Sequence, residues 1–70
     1  MPTLPSPIAG VLLRYLVKPG DAVTPDTEVA MVESMKMHIP VLAERSGRVK
    51  ALPLSDNAVV GEGQTLIELE

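Results

Sequence analysis

Short apolar runs separated by proline and glycine dominate the chain. Residues 28–33, 37–43, 47–54 and 65–70 predict strands, since each run is short, aliphatic and bounded by turn-forming residues. No segment keeps a 3.6-residue hydrophobic period for ten or more residues, so no helix longer than a single turn is expected. Strands recurring every eight to twelve residues or so favour a small all-β sandwich or barrel.

Two local signals refine this prediction. Lys18-Pro19-Gly20-Asp21 is typical of a type II turn, because Pro suits the first central position and Gly suits the second, where φ is positive. Pro40 cannot donate a ladder hydrogen bond, so the strand over residues 37–43 is expected at a sheet edge or in an irregular position.

The two halves of the chain resemble each other at a constant shift of 37 positions. The turn residue Gly20 matches Asn57, and both tolerate positive φ. The apolar spacing also matches, in the pairs Leu12/Val49, Val17/Leu54, Val23/Val60, Val29/Leu66, Ala30/Ile67 and Val32/Leu69. We interpret this as two similar β units that share one core.

Composition narrows the class of protein. At 70 residues the chain is long enough for one domain, taken as residues 1–70. It has no cysteine, which excludes disulfides and thiolate metal sites. A net charge of −3 with a single aromatic residue argues against nucleic-acid binding. No apolar run approaches the roughly 20 residues that span a bilayer, and the N-terminus lacks signal-peptide character, so a cytoplasmic domain without membrane contact is expected.

The sequence Ser34-Met35-Lys36-Met37 breaks the local rules. It lies between two predicted strands, where a tight hairpin favours Asn-Gly, Asp-Gly or Gly-X because its central residues need positive φ. Here the turn is made by Met and Lys. Departures of this kind concentrate at functional sites, and a lysine at such a tip projects into solvent. A solvated surface charge is the ordinary explanation for a lone lysine, and core filling is the ordinary explanation for methionine.

The sequence Glu33-Ser34-Met35-Lys36-Met37 resembles the attachment motif of the biotinyl domains of biotin-dependent carboxylases, in the biotin/lipoyl attachment family. Residues 17–23 and 63–68 are similar to the first turn and the closing strand of that family, so the resemblance covers about residues 6–70. It implies a flattened β-barrel or barrel-sandwich hybrid, built from two four-stranded antiparallel sheets with quasi-two-fold symmetry.

The resemblance also implies a non-catalytic carrier function. Lys36 would be biotinylated by a biotin protein ligase, Met35 and Met37 would shape the hairpin for that ligase, and Glu33 would be recognised by it. The attached biotin would then shuttle carboxyl groups between a biotin carboxylase and a carboxyltransferase. The chain would be either a free-standing carrier or the excised end of a larger enzyme.

Three alternative interpretations of the sequence remain. A lipoyl carrier of the same fold typically has Asp-Lys-Ala at the tip, in place of Met-Lys-Met. An unmodified β interaction module would function unchanged after Lys36→Arg and would never bind streptavidin. A stand-alone enzyme or metal site lacks support, because His38 is the only histidine and is expected to be an exposed strand residue.

Overall fold

The computed structural model describes residues 2–70, and within that range every regular element is a strand. The eight strands are β1 (Thr3–Pro5), β2 (Gly10–Tyr15), β3 (Ala22–Val23), β4 (Glu28–Ser34), β5 (Met37–Leu42), β6 (Gly47–Ala51), β7 (Val59–Val60) and β8 (Thr65–Leu69). The predicted absence of helix is confirmed for these residues. No helix long and apolar enough to cross a membrane occurs among residues 2–70.

The strands form two four-stranded sheets, with the orders β1-β8-β6-β3 and β5-β4-β2-β7. All strand pairs are antiparallel. This confirms the predicted fold class. Pro40 lies in β5, where it pairs with Met31 of β4. Because β5 is an edge strand, the predicted edge position of this proline is also confirmed.

The shift of 37 residues is visible in the topology. Subtracting 37 from the residue numbers takes β6 to β2 and β8 to β4, and adding 37 takes β3 to β7 and β1 to β5. The order of one sheet thereby becomes the order of the other. Hydrogen bonds follow the same rule: Gly20 N–H donates to Val49 O (2.8 Å), and Asn57 N–H donates to Leu12 O (2.6 Å). Gly20 and Asn57 have φ values of 95° and 69°. The two predicted β units are therefore related by a quasi-two-fold axis.

The core lies between the sheets and is aliphatic. Twelve of its thirteen buried members fall into equivalent pairs, namely Leu4/Val41, Leu12/Val49, Val23/Val60, Val29/Leu66, Ala30/Ile67 and Val32/Leu69, and the thirteenth, Ala43, is equivalent to the buried Ser6. Full burial of one Val, Leu or Ile side chain stabilises a fold by about 1.5–3 kcal/mol, so this set compensates for the lack of buried aromatic residues.

Most of the predicted turns and strand ends lie close to the observed ones. Asp21 N–H donates to Lys18 O (3.0 Å), which confirms the turn around Gly20. The strand expected over residues 47–54 ends at Ala51, ahead of Pro53, which has no N–H for a ladder. Beyond Ala51, Leu54 N–H instead donates to the Tyr15 hydroxyl (3.3 Å).

Candidate functional site

A two-residue turn joins β4 to β5. Ser34 pairs with Met37, and the central residues Met35 and Lys36 have φ values of 52° and 63°. Positive φ at both central positions is the requirement of a type I′ hairpin, which Asn and Gly normally meet. The predicted conflict between turn and sequence is therefore confirmed.

The flanking ladder explains why this turn persists. Glu33 pairs with His38 and Val32 with Ile39, in a register that continues to Ala30 and Val41. Val32, Ala30 and Val41 are buried, and a one-residue slip would move the buried side chains to the solvent face. The packed strands thus fix the turn in a conformation that its own residues disfavour.

All three tip side chains are exposed. Met35 is 91% and Met37 is 64% exposed, which excludes core filling as the explanation for either methionine. Lys36 is exposed as well. Among residues 2–70, no hydrogen bond or ion pair involves the Lys36 ammonium group. Its amine is therefore sterically open to a second molecule.

A carboxylate and an imidazole stand beside the tip. Glu33 Oε2 lies 3.6 Å from His38 Nε2, and their side chains are 42% and 64% exposed. His38 is thus an exposed strand residue, as predicted. The contact is an ion pair only when His38 is protonated, and an exposed pair of this kind contributes at most about 1 kcal/mol. The contact therefore adds little to the stability of the hairpin, although it places Glu33 and His38 side by side near Lys36.

An open groove of about 530 Å³ runs along one side of the tip. Its walls are the start of β2 with the preceding Ala9, the end of β4, the turn residues Met35 and Lys36, and β7. Sequence reasoning missed this groove, because residues 9–11 and 59–60 are far from the hairpin in the chain. In the sequence, Gly10 alone indicated a close approach between this part of the chain and another strand.

Gly10 lets β2 approach the end of β4 closely. A Cβ atom on Gly10 would overlap the carbonyl oxygen of Glu33 and would lie 3.0 Å from Val32 Cγ1. Because Glu33 is followed within three residues by Lys36, this contact sets the position of the tip relative to the groove. The glycine is required by close packing, and its backbone needs no positive φ.

The other chemistry-bearing side chains do not assemble into a second centre. No group of three or more His, Cys, Asp or Glu side chains that could hold a metal ion occurs within residues 2–70. The residues predicted from the sequence to form the site all lie on the β4–β5 hairpin, namely Glu33, Met35, Lys36 and Met37.

Comparison with known proteins identifies the family. The family model Biotin_lipoyl, described as "Biotin-requiring enzyme", matches residues 2–69. The chain belongs to the Biotin_lipoyl family. Membership agrees with the resemblance found in the sequence and with the two-sheet topology.

Two curated relatives illustrate the range of lengths in this family. The biotin/lipoyl attachment protein of Bacillus subtilis is 47% identical over 62 residues, covering 89% of this chain and 85% of that protein. The mitochondrial propionyl-CoA carboxylase alpha chain of Homo sapiens is 43% identical over 67 residues, which is 96% of this chain. The chain spans only 9% of the length of that human relative.

Solved structures support the same fold. The urea carboxylase of Kluyveromyces lactis superposes with a TM-score of 0.89 at 25% identity, covering 99% of this chain and 6% of that one. The lipoyl domain of the 2-oxoglutarate dehydrogenase complex from Azotobacter vinelandii gives a TM-score of 0.71 at 31% identity, covering 100% of this chain and 90% of that one. A carboxylase and a lipoyl domain therefore both contain this architecture.

Proposed function

We propose that this chain is a biotin carboxyl carrier domain, and that the Nζ atom of Lys36 holds biotin through an amide bond. The observation that carries the proposal is the exposed Lys36 at a two-residue turn between paired strands, whose conformation is unfavourable for its own residues. The names of the relatives support the chemistry, since they include a carboxylase chain and a biotin/lipoyl attachment protein.

The residues present fit a covalently held cofactor. The Lys36 amine has no partner within residues 2–70, so its modification breaks no contact of the fold. Biotinylation removes one positive charge, and because the side chain is exposed, that loss leaves no buried charge uncompensated. The paired strands β4 and β5 hold the Lys36 backbone in place while the long side chain remains free to swing.

Attachment requires Lys36 to act as a nucleophile. Its ammonium group must first lose a proton, because only the neutral amine has a free lone pair. The amine would then attack the acyl carbon of biotinyl-AMP held by a biotin protein ligase. A C–N bond forms, the C–O bond to the phosphate breaks, AMP leaves with that electron pair, and the nitrogen releases a second proton.

The neighbours of Lys36 would be recognised by the ligase. Met35 and Met37 are flexible apolar side chains on either side of the lysine, and both are exposed for contact with a partner. Glu33 presents a partly exposed carboxylate three positions earlier. We infer that the ligase recognises this combination of apolar tip and nearby negative charge.

The modified domain would serve as a mobile carrier and would not itself catalyse carboxyl transfer. Bound biotin would supply a ring nitrogen that accepts and releases a carboxyl group. The domain contributes reach and recognition, and its partners would be a biotin carboxylase and a carboxyltransferase. A short tether raises the effective concentration of a carried group to roughly the millimolar range.

A lipoyl carrier is the second candidate, because the A. vinelandii lipoyl domain shares the fold at 31% identity. Both groups form an amide with a lysine at the same kind of hairpin. The tip residues favour biotin, since Met35 and Met37 resemble the flanks of the biotinyl lysine.

Intact mass spectrometry distinguishes the two candidates. The domain is incubated with ATP and either biotin plus a biotin protein ligase or lipoate plus a lipoate ligase. We expect a mass increase of one biotinyl group in the first reaction only. Lys36→Arg should abolish this increase, whereas Lys18→Arg, at another exposed lysine, should leave it unchanged. A lipoyl mass increase without a biotinyl one would overturn the proposal.

A further inference from the structure

The quasi-two-fold axis provides an internal control for the groove beside Lys36. In the groove wall, Val11 of β2 pairs with Val59 of β7. At the equivalent place 37 positions away in sequence, Arg48 of β6 pairs with Ala22 of β3. The two strand pairs have the same register, so the fold accepts a charged or small residue at these positions.

The groove end of the molecule is more apolar than its counterpart. Ala9 and Val11 stand where the other end has Ser46 and Arg48. Val59 is 79% exposed, and the equivalent position in β3 holds the smaller Ala22. Strand preference alone does not account for valine here, because the equivalent strand forms without it.

The apolar surface is also continuous with the tip. Val59, Val11 and Met35 line the same groove, and Lys36 forms part of its wall. Met35 and Val59 are exposed and Val11 is partly exposed, and a concavity lined mainly by apolar side chains is the usual form of a small-molecule site. Any group attached to Lys36 starts at the edge of that surface.

The size of the groove selects the occupant. Its volume of about 530 Å³ falls in the range of small-molecule sites, roughly 300–1,000 Å³. Nine residues line the groove, fewer than the roughly 20–30 that each side of a stable protein interface contributes, so the groove by itself accommodates a small molecule. A tethered biotinyl group can occupy it whenever no partner enzyme covers the tip.

We propose that this groove is a resting site for the biotinyl group carried by Lys36, with Val59 and Val11 contacting the apolar face of its bicyclic ring. The inference rests on the function proposed above. Because the group is tethered, its local concentration is about millimolar, and a weak intrinsic affinity is enough to populate the docked position. The arm would leave the groove when a partner enzyme binds the ring more tightly.

Methyl NMR of the biotinylated domain tests this placement. Intact mass first establishes that the sample carries one biotinyl group. We expect nuclear Overhauser contacts between the biotin ring protons and the Val59 methyl groups, together with shifts of Val59 and Val11 relative to the unmodified domain. The methyl signals of Val23, the buried equivalent of Val60 at the other end, should not move.

Variants that copy the other half of the molecule provide the second measurement. Val59→Ala and Val11→Arg install the residues found at the equivalent positions, and Ala22→Val is the matched control at the far end. Streptavidin capture of the biotinylated domain should become about two- to fivefold faster in Val59→Ala, because docking reduces the fraction available for capture. Ala22→Val should capture at the wild-type rate.

The outcomes separate the two proposals. A domain that takes up no biotinyl group overturns the proposed function and this inference together. A biotinylated domain with no ring contacts to Val59 and an unchanged capture rate in Val59→Ala overturns the resting site alone. Loss of ligase or carboxylase recognition in Val59→Ala, without ring contacts in the wild type, would assign the groove to a protein partner and also overturn it.

Discussion

The two ends of this molecule are built alike but differ in what they expose. At one end, β4 and β5 are joined by the turn that carries Lys36. At the other end, the equivalent strands β8 and β1 pair in the same register, with Leu69 N–H donating to Pro2 O (3.0 Å). The first end exposes the apolar side chains of Met35 and Val59, whereas the position equivalent to Val59 holds Ala22.

Features that recur in both halves are required by the fold, whereas features found in one half only need another explanation. Buried residues, bulges and turn hydrogen bonds recur in both halves, so these features are what two packed sheets require. The apolar pair Val11–Val59 has no apolar counterpart, because Arg48 pairs with Ala22 at the equivalent place. Features present at one end only are therefore the ones that we assign to the carrier function.

The largest stability difference is expected between two equivalent glycines. In Gly10→Ala the new methyl group would meet the backbone oxygen of Glu33, which cannot move without displacing β4. We expect a loss of about 1–3 kcal/mol in the free energy of unfolding. In Gly47→Ala the obstacle is Leu69 Cδ1 at 3.1 Å, a flexible side-chain end, and the loss should be smaller.

Urea unfolding of both variants checks this order. Because Gly10 also positions the tip, Gly10→Ala should slow biotinylation, and Gly47→Ala should not. Equal destabilisation by the two substitutions would show that the close approach of β2 to β4 is not specific to the hairpin end.

A second asymmetry concerns Tyr15, whose equivalent position is Leu52. The Tyr15 hydroxyl donates to Leu66 O in the opposite sheet (2.6 Å) and accepts from Leu54 N–H (3.3 Å). Tyr15→Phe removes both bonds, so we expect a loss of about 1–2 kcal/mol, with most of it from the shorter bond to Leu66 O. Thermal unfolding near neutral pH measures it.

The pH dependence sharpens this prediction. Burial raises the pKa of the Tyr15 phenol above 10.0, the Leu54 N–H opposes the shift, and the Asp56 carboxylate adds to it. The folded state then holds its proton more tightly than the unfolded state. The stabilisation is therefore complete below about pH 10 and is lost as the pH rises through the folded value. The stability difference between wild type and Tyr15→Phe should shrink over that range, and a constant difference would contradict this assignment.

The smallest effect is expected at the turn. Met35→Asn places a residue that tolerates the left-handed region at a φ of 52°. We expect a gain of about 0.5–1 kcal/mol, part of the roughly 1–2 kcal/mol that such a conformation costs an ordinary residue. Biotinylation should slow, because the ligase loses an apolar contact.

Asn57→Ala, at the favourable positive-φ residue, is the converse control and should be destabilising. Chemical denaturation compares the two variants, and ligase kinetics measures the labelling of Met35→Asn. A less stable Met35→Asn protein would show that the hairpin carries no relievable strain.

Local chemistry made much of the fold predictable. The repeat, the turn at Gly20 and the edge position of Pro40 each depend on residues close in sequence or on a fixed spacing. The end of β6 was wrong by three residues, because the apolar run continues to Leu54 while the ladder stops before Pro53. Leu54 stays partly buried against the core without belonging to a strand.

Contacts through space were not predictable in the same way. Met35, Lys36 and Met37 stood out because they violate a local rule, and the resemblance to the biotinyl attachment motif decided their interpretation. Glu33 was indicated by that resemblance alone. The groove joins Ala9, Val59 and the hairpin, and the Tyr15 bond crosses between sheets. Neither leaves a periodic signal in the chain, since both depend on how the finished sheets lie against each other.

Residue mapping of the modified protein determines which lysine carries the biotinyl group. The domain is biotinylated by a biotin protein ligase with ATP and biotin, digested, and sequenced by tandem mass spectrometry. We expect the biotinyl group on Lys36 alone, with Lys18 and Lys50 unmodified. Biotin on either of those lysines, or an unmodified Lys36 under conditions where a reference carrier domain is fully labelled, would show that Lys36 is not the attachment site.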